Sequence, residues 1–126
     1  MGGIIDIQAL LDSVPPPTQE EMDTRRDMVR RYTVVLLKMG PALRDDEARN
    51  ERLQLEHLQH LTKLQRLGKL VLNGPAAIDH EIRGISVYDA ALEDALAMAE
   101  ADPKVRAGYL IVEAIPWFAV PAEKHY

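Results

Sequence analysis

Two imidazoles, His57 and His60, stand three residues apart inside the most regular apolar stripe of the chain. A free imidazole has a pKa near 6.5, so at neutral pH it can both take and give a proton, which suits general acid–base chemistry. From Leu53 to Leu67, positions 53, 57, 60, 64 and 67 are spaced by four, three, four and three, which predicts a helix carrying them on one face. Arg52, Glu56, Gln59, Lys63 and Arg66 fall on the opposite, solvent-facing side. An imidazole on a buried face needs a hydrogen-bond partner, because an unpaired buried polar group costs about 1–3 kcal/mol. The pair therefore reads either as satisfied core imidazoles or as the wall of a cavity in which imidazoles do chemistry.

Other chemistries have less support. Histidines at i and i+3 can chelate, but the zinc helix signature uses i and i+4 with a glutamate, so no metal site is expected. The two serines, Ser13 and Ser86, lie outside any nucleophile-elbow pattern. Gly74-Pro75 reads as turn geometry, since no glycine-rich loop precedes a helix there. Asp79, His80, Glu81 and Arg83 read as a solvated turn. Of these Arg83 is the best candidate for substrate binding, because a guanidinium beside a pocket can hold a carboxylate or phenolate. Tyr109 and Trp117 can line a pocket or fill core. Asp102-Pro103, followed by Gly108, has the N-cap acceptor, N1 proline and exit glycine of a short helical turn.

The elements that must position these groups follow from pattern and punctuation. Pro15-Pro16-Pro17 separates a leader, in which Ile4, Ile7, Leu11 and Val14 form an amphipathic helix that needs a docking surface. Thr18 to Glu21 reads as a capping box for a charged helix running to about Val29, closed by Arg30-Arg31. A buried strand covers Tyr32 to Met39. Asp45 or Asp46 caps the histidine helix, which ends at Gly68. Strands follow at Lys69 to Asn73 and Gly84 to Tyr88, then a helix capped by Asp89 with Leu92, Ala95, Leu96 and Ala99 inward, then a strand from Tyr109 to Ile115. The order βαββαβ predicts an α+β, ferredoxin-like body over residues 31–117, with an N-terminal helical extension at 1–30 and a C-terminal tail at 118–126. Two helices cover only one sheet face, yet Val34 to Leu37 and Leu110 to Val112 are apolar on both. The expected solution is a homodimer with sheets packed face to face.

Composition sets the limits of function. The chain has 126 residues, 47% hydrophobic and 28% charged, as expected of one globular domain. A net charge of −5, one Trp, one Phe and four Tyr argue against a nucleic-acid partner. The absence of cysteine excludes disulfides, thiolate metal sites and a cysteine nucleophile. No apolar run approaches a membrane span, and no basic n-region followed by an apolar h-region opens the chain. Met1-Gly2 has the myristoylation glycine, but Asp6 replaces the hydroxyl residue the signal needs. A cytoplasmic location without membrane partners is expected.

Several motifs in order carry a resemblance: His57 to Leu61, Gly68 to Pro75, Arg83-Gly84, Ala101-Asp102-Pro103, Ala107-Gly108 and Pro116-Trp117. Together they resemble the YciI-like (YCII-related) proteins over residues 31–117. The resemblance implies a ferredoxin-like fold that dimerises as an α+β barrel, and a site built on a His–Asp pair. His57 and His60 match the family's helix histidines and Asp102 its Asp-Pro. A relative is a dehydrochlorinase acting on a chlorinated hydroxyhydroquinone, and the wider group includes muconolactone isomerase-like enzymes and cofactor-free monooxygenases. Two departures stand out: His80 replaces a turn glycine, and residues 1–30 fall outside the family's span.

The expected function is a small cofactor-independent enzyme of lyase or isomerase type. A helix histidine, His57 first and His60 second, moves a proton on a small carbonyl- or phenol-containing substrate. As the resemblance implies, Asp102 fixes the imidazole and stabilises the imidazolium. The competing reading is a non-catalytic dimeric module that binds a metabolite or a partner protein, favoured by the leader helix that nothing obvious buries.

Overall fold

The computed structural model describes residues 3–122; Met1 and Gly2, and residues 123–126 of the expected tail, lie outside the described residues. The chain divides into two units, residues 1–29 with 120–126, and residues 30–119. In the first unit, α1 (Ile7–Asp12) is opened by Asp6, whose carboxylate accepts from the Ala9 amide. In α2 (Gln19–Asp27) the Thr18 hydroxyl accepts from the Glu21 amide at 3.1 Å, and the Glu21 carboxylate accepts from the Thr18 amide at 3.0 Å. This is the capping box expected from sequence. The helix ends at Asp27, earlier than its pattern suggests. Arg25 and Arg26 fill the cationic last turn, and Arg30-Arg31 begin a strand instead. No residue of α1 or α2 is buried, and Ile4, Ile7, Leu11 and Val14 are all exposed.

The second unit runs β1 (Arg30–Met39), α3 (Glu47–Arg66), β2 (Leu70–Pro75), β3 (Ile82–Tyr88), α4 (Leu92–Glu100), α5 (Pro103–Arg106) and β4 (Leu110–Ala119). The strands form one antiparallel sheet in the order β2-β3-β1-β4, the ferredoxin-like arrangement with α5 as an added turn. Alternation along the strands sorts the side chains. Val35 and Leu37 of β1, Leu70 of β2, Tyr88 of β3 and Leu110 of β4 pack on Leu61 and Leu64 of α3. Ala95 and Ala99, fully buried, let α4 lie close against the same sheet face. The alternate residues, among them Ile85, Ile111, Ile115 and Trp117, form an apolar outer face and remain nearly half exposed.

Three expectations of local structure change. Asp89 does not cap α4: its carboxylate pairs with Arg30 at 2.9 Å, and the helix starts after Ala91 without a side-chain cap. The last strand does not stop at Ile115 but continues through Pro116 and Trp117 to Ala119, paired with β1 throughout. Proline is tolerated there because β4 is an edge strand and needs no donor on its outer side. For the same reason β2, the other edge, extends through Gly74 to Pro75.

One contact fixes the loop that leaves β1. The Gly40 amide donates to the Tyr109 carbonyl at 2.8 Å and the Ala42 amide to the Gly108 carbonyl at 3.0 Å. A Cβ on Gly40 would lie 2.2 Å from the Gly108 carbonyl oxygen, so only glycine allows the approach. Gly108 itself has φ +78, the left-handed conformation that ends α5. Gly40→Ala is therefore expected to destabilise the protein by about 1–3 kcal/mol in urea unfolding. Gly74→Ala, where an added Cβ meets nothing within 4 Å, should leave the midpoint nearly unchanged; equal effects of the two variants would refute the close-contact explanation.

Candidate active site

The site begins with a cap. Asp102 precedes Pro103, whose fixed φ suits the first helical position, and its Oδ1 accepts from the Lys104 amide at 2.9 Å. Capping occupies one carboxylate oxygen and leaves Oδ2 for another donor. That donor is His57, whose Nδ1 lies 2.5 Å from Oδ2. Asp102 is only 2% exposed and the His57 side chain 12%, so the bond is shielded from water and is of the short, charge-assisted kind. With its Nδ1–H donated to a carboxylate, the neutral imidazole carries its lone pair on Nε2.

The helix that brings His57 there is determined locally. Asp46 caps α3 by accepting from the Arg49 amide, Glu47 stands in the first turn, and Lys63 and Arg66 stand in the last. Gly68, at φ +73, ends it. Leu53, Leu61 and Leu64 are buried on the face that also presents both histidines. His60, however, is used differently: its Nε2–H donates to the Met98 carbonyl at 2.7 Å, tying α3 to α4.

A cavity of about 290 Å³ adjoins His57, near the lower end of ligand pockets and large enough for a single-ring molecule. Leu58 and Leu61 of α3, Leu37 of β1 and Leu110 of β4 supply its apolar wall. Asn73 of β2 and Ser86 of β3, directly opposite in the strand register, supply a polar one. Arg83 also lines it. In the β1–β3 ladder Leu37 faces Gly84 and Lys38 faces Ile82, so Arg83 is the extra residue of a bulge, a device that re-aims a side chain. The Asp79 carboxylate holds its guanidinium at 3.0 Å.

Of the residues expected at the site, His57 and Arg83 line this cavity, Asp102 stands behind His57 as its partner without lining it, and His60, Tyr109 and Trp117 do not line it. Tyr109 is buried below the loop after β1. Its hydroxyl donates to Asn50 Oδ1 at 2.5 Å, and the Arg44 guanidinium lies 4.9 Å over its ring. Trp117 faces Tyr32 across the ladder, on the open side of the sheet. Sequence reasoning did not identify Arg44, Gln54 or Lys104, which also line it. Lys104 had a local signal, its place in the first turn after the Asp102 cap; Arg44, in a loop, had none. Among the described residues no three His, Asp or Glu side chains converge as a metal-ligand set.

The YCII-related domain family matches residues 31–118, and the chain belongs to that family. No curated protein sequence matches it. Several solved structures share its fold, among them two enzymes. One is 5-chloro-2-hydroxyhydroquinone dehydrochlorinase from Burkholderia phenoliruptrix in complex with 2,5-dihydroxybenzoquinone, at 15% identity over 70% of this chain and 93% of that one, TM-score 0.50. The other is muconolactone isomerase, at 21% identity over 75% and 96%, TM-score 0.54. These likenesses identify the fold as that of the dimeric α+β barrels.

Tyr88 offers an independent probe of this region. Burial pushes its phenol up to about 12, and the negative charge of Asp102 adds to the effect. A raised acid pKa means that the folded state holds the proton more tightly than the unfolded one. Its stabilising contribution is complete below the ordinary tyrosine value near 10 and is lost as pH rises toward about 12. Thermal melts should therefore fall more steeply above pH 10 in the native protein than in Tyr88→Phe; parallel curves would contradict the assignment.

Proposed function

We propose that the cavity is the active site of a small lyase- or isomerase-type enzyme that works without a cofactor, with His57 as its general acid/base. The observation that carries this reading is the 2.5 Å contact between His57 Nδ1 and Asp102 Oδ2 at the wall of a substrate-sized cavity. Nε2 takes a proton from an acidic C–H or phenolic O–H, and Asp102, already the acceptor at Nδ1, stabilises the imidazolium that results. In an isomerisation the same proton returns to a different atom. In an elimination the electron pair of the broken C–H bond forms the new double bond, and the leaving group departs with its own pair. The two enzymes that share the fold are named for a dehydrochlorination and an isomerisation, both within reach of one shuttled proton. His60, bound to a main-chain carbonyl, serves in this reading to align α3.

The open sheet face supports a second element of the proposal. Val34, Leu36, Ile85, Ile111 and Ile115 lie together on that face, and a second copy presenting the same face buries them most simply. Light scattering at micromolar concentration is then expected to give about twice 14.2 kDa; a monodisperse 14.2 kDa species would remove the face-to-face assembly.

Deuterium wash-in from D2O, followed by proton NMR across a panel of small hydroxyquinones, lactones and halogenated ketones, tests the chemistry. His57→Ala should lower the exchange or turnover rate of any reactive member by about 10²–10⁴-fold while the protein stays folded. Asp102→Asn keeps an acceptor for the helix cap but not the charge beside the imidazolium, and should also depress the rate. If both variants shift the melting temperature and leave turnover intact, the His–Asp pair is structural and the binding-module reading takes its place.

A further inference from the structure

Three cationic side chains from three separate elements line the cavity: Arg44 from the loop after β1, Arg83 from the bulge in β3, and Lys104 from α5. Each is held in place by neutral or solvent-facing groups. Arg44 lies over the Tyr109 ring and donates to the Tyr109 carbonyl. The Lys104 ammonium donates to Gln54 Oε1. Arg83 pairs with Asp79, which is 98% exposed at its side chain, and donates to the His80 carbonyl at 3.1 Å. The one buried carboxylate nearby, Asp102, has its oxygens engaged by His57 and the Lys104 amide. Among the described residues no acidic side chain lines the cavity. In a chain whose net charge is −5, this local excess of positive charge runs against the overall balance.

We propose that this cavity binds its substrate as an anion, a single-ring-sized carboxylate or dissociated enol, with Arg44, Arg83 and Lys104 as the specificity-determining residues. The proposal rests on the cavity being the substrate site, and it adds the charge class of what enters. The cations are pre-positioned and, among the described residues, have no counter-ion within the cavity, so an incoming carboxylate supplies charge-assisted hydrogen bonds without displacing an existing buried ion pair. Their mutual repulsion is visible at Lys104, whose ammonium is held below its ordinary pKa by burial, then by Arg44 and, to a smaller degree, Arg83, against the opposing pull of Asp102. A bound anion relieves that repulsion. The polar wall suits a second, uncharged function on the same ligand: Ser86 is 2% exposed, faces Asn73 across the strand pair, and lines the cavity with it. Negative charge that builds on the substrate as His57 removes a proton falls within the same cationic field.

The test compares 4-hydroxybenzoate with its neutral counterpart 4-hydroxybenzamide by calorimetry and by NMR of the labelled His57 ring, at low ionic strength and pH 7. The expected result is a carboxylate affinity about tenfold or more above that of the amide, falling as salt is added. Lys104→Met and Arg83→Met should each weaken the benzoate by roughly tenfold and leave the amide unchanged. Equal affinity for the two probes, a preference that survives both variants, or no binding of either at about 10 mM overturns the proposal. The outcome is separable from the proton-transfer reading. Anion preference with turnover insensitive to His57→Ala would leave this proposal standing and remove the other, and His57-dependent turnover without anion preference would do the reverse.

Discussion

Everything distinctive about this molecule depends on a buried carboxylate with two obligations. A carboxylate removed from water loses several kcal/mol of solvation unless donors surround it. Asp102 meets that demand with one amide of its own helix and one imidazole from another. Because α5 is a single turn, its cap holds the strand that follows as well as the helix itself, and because the second donor comes from α3, the position of that helix is fixed by the same group. The satisfied state requires the imidazole in one tautomer. Structural need and chemical readiness therefore coincide: the arrangement that makes the anion tolerable also leaves the other ring nitrogen unprotonated, on a residue that lines the cavity.

Around that group the scaffold works by close approach. Ala95 and Ala99 let α4 settle on the sheet, and Gly40 lets the loop after β1 touch the carbonyl of Gly108. That loop carries Arg44, and Tyr109, immediately after the same glycine, supports it from below. The bulge at Arg83 does a similar service from the other side, turning a residue that strand alternation would send to the open face toward the cavity rim. The polar wall has a simpler origin, since Asn73 and Ser86 are direct partners in the ladder.

Much of this was legible in the residues. The caps of α2, α3 and α5, the exit glycines Gly68 and Gly108 and the ferredoxin-like order all follow from short-range rules, and the structure has each of them. Errors arose where topology overrides a local signal. Pro75 and Pro116 resemble strand ends, yet both lie within edge strands, a status that only the assembled sheet assigns. Asp89 has the composition of a cap, but the distant Arg30 takes its carboxylate. At the candidate site the histidine pattern was visible because helical spacing is regular. The difference between His57 and His60 was not, since their partners, Asp102 and the Met98 carbonyl, lie far away in the chain. Arg44 and Lys104 join the cavity by convergence of elements, which no spacing rule encodes. Tyr109 and Trp117 were aromatic enough for a pocket, but the first lies beneath a loop and the second on the opposite face of the sheet.

The location of Trp117 gives the molecule a built-in optical reporter. It is the chain's single tryptophan, it lies on the open sheet face beside Tyr32, and it is absent from the cavity that His57 lines. Its fluorescence therefore responds to whatever covers that face and not directly to what enters the cavity. Emission shifting blue with protein concentration, and indifferent to small ligands, registers burial of the sheet alone. Coverage of the face and occupancy of the cavity can thus be followed separately, in one sample and without any added label.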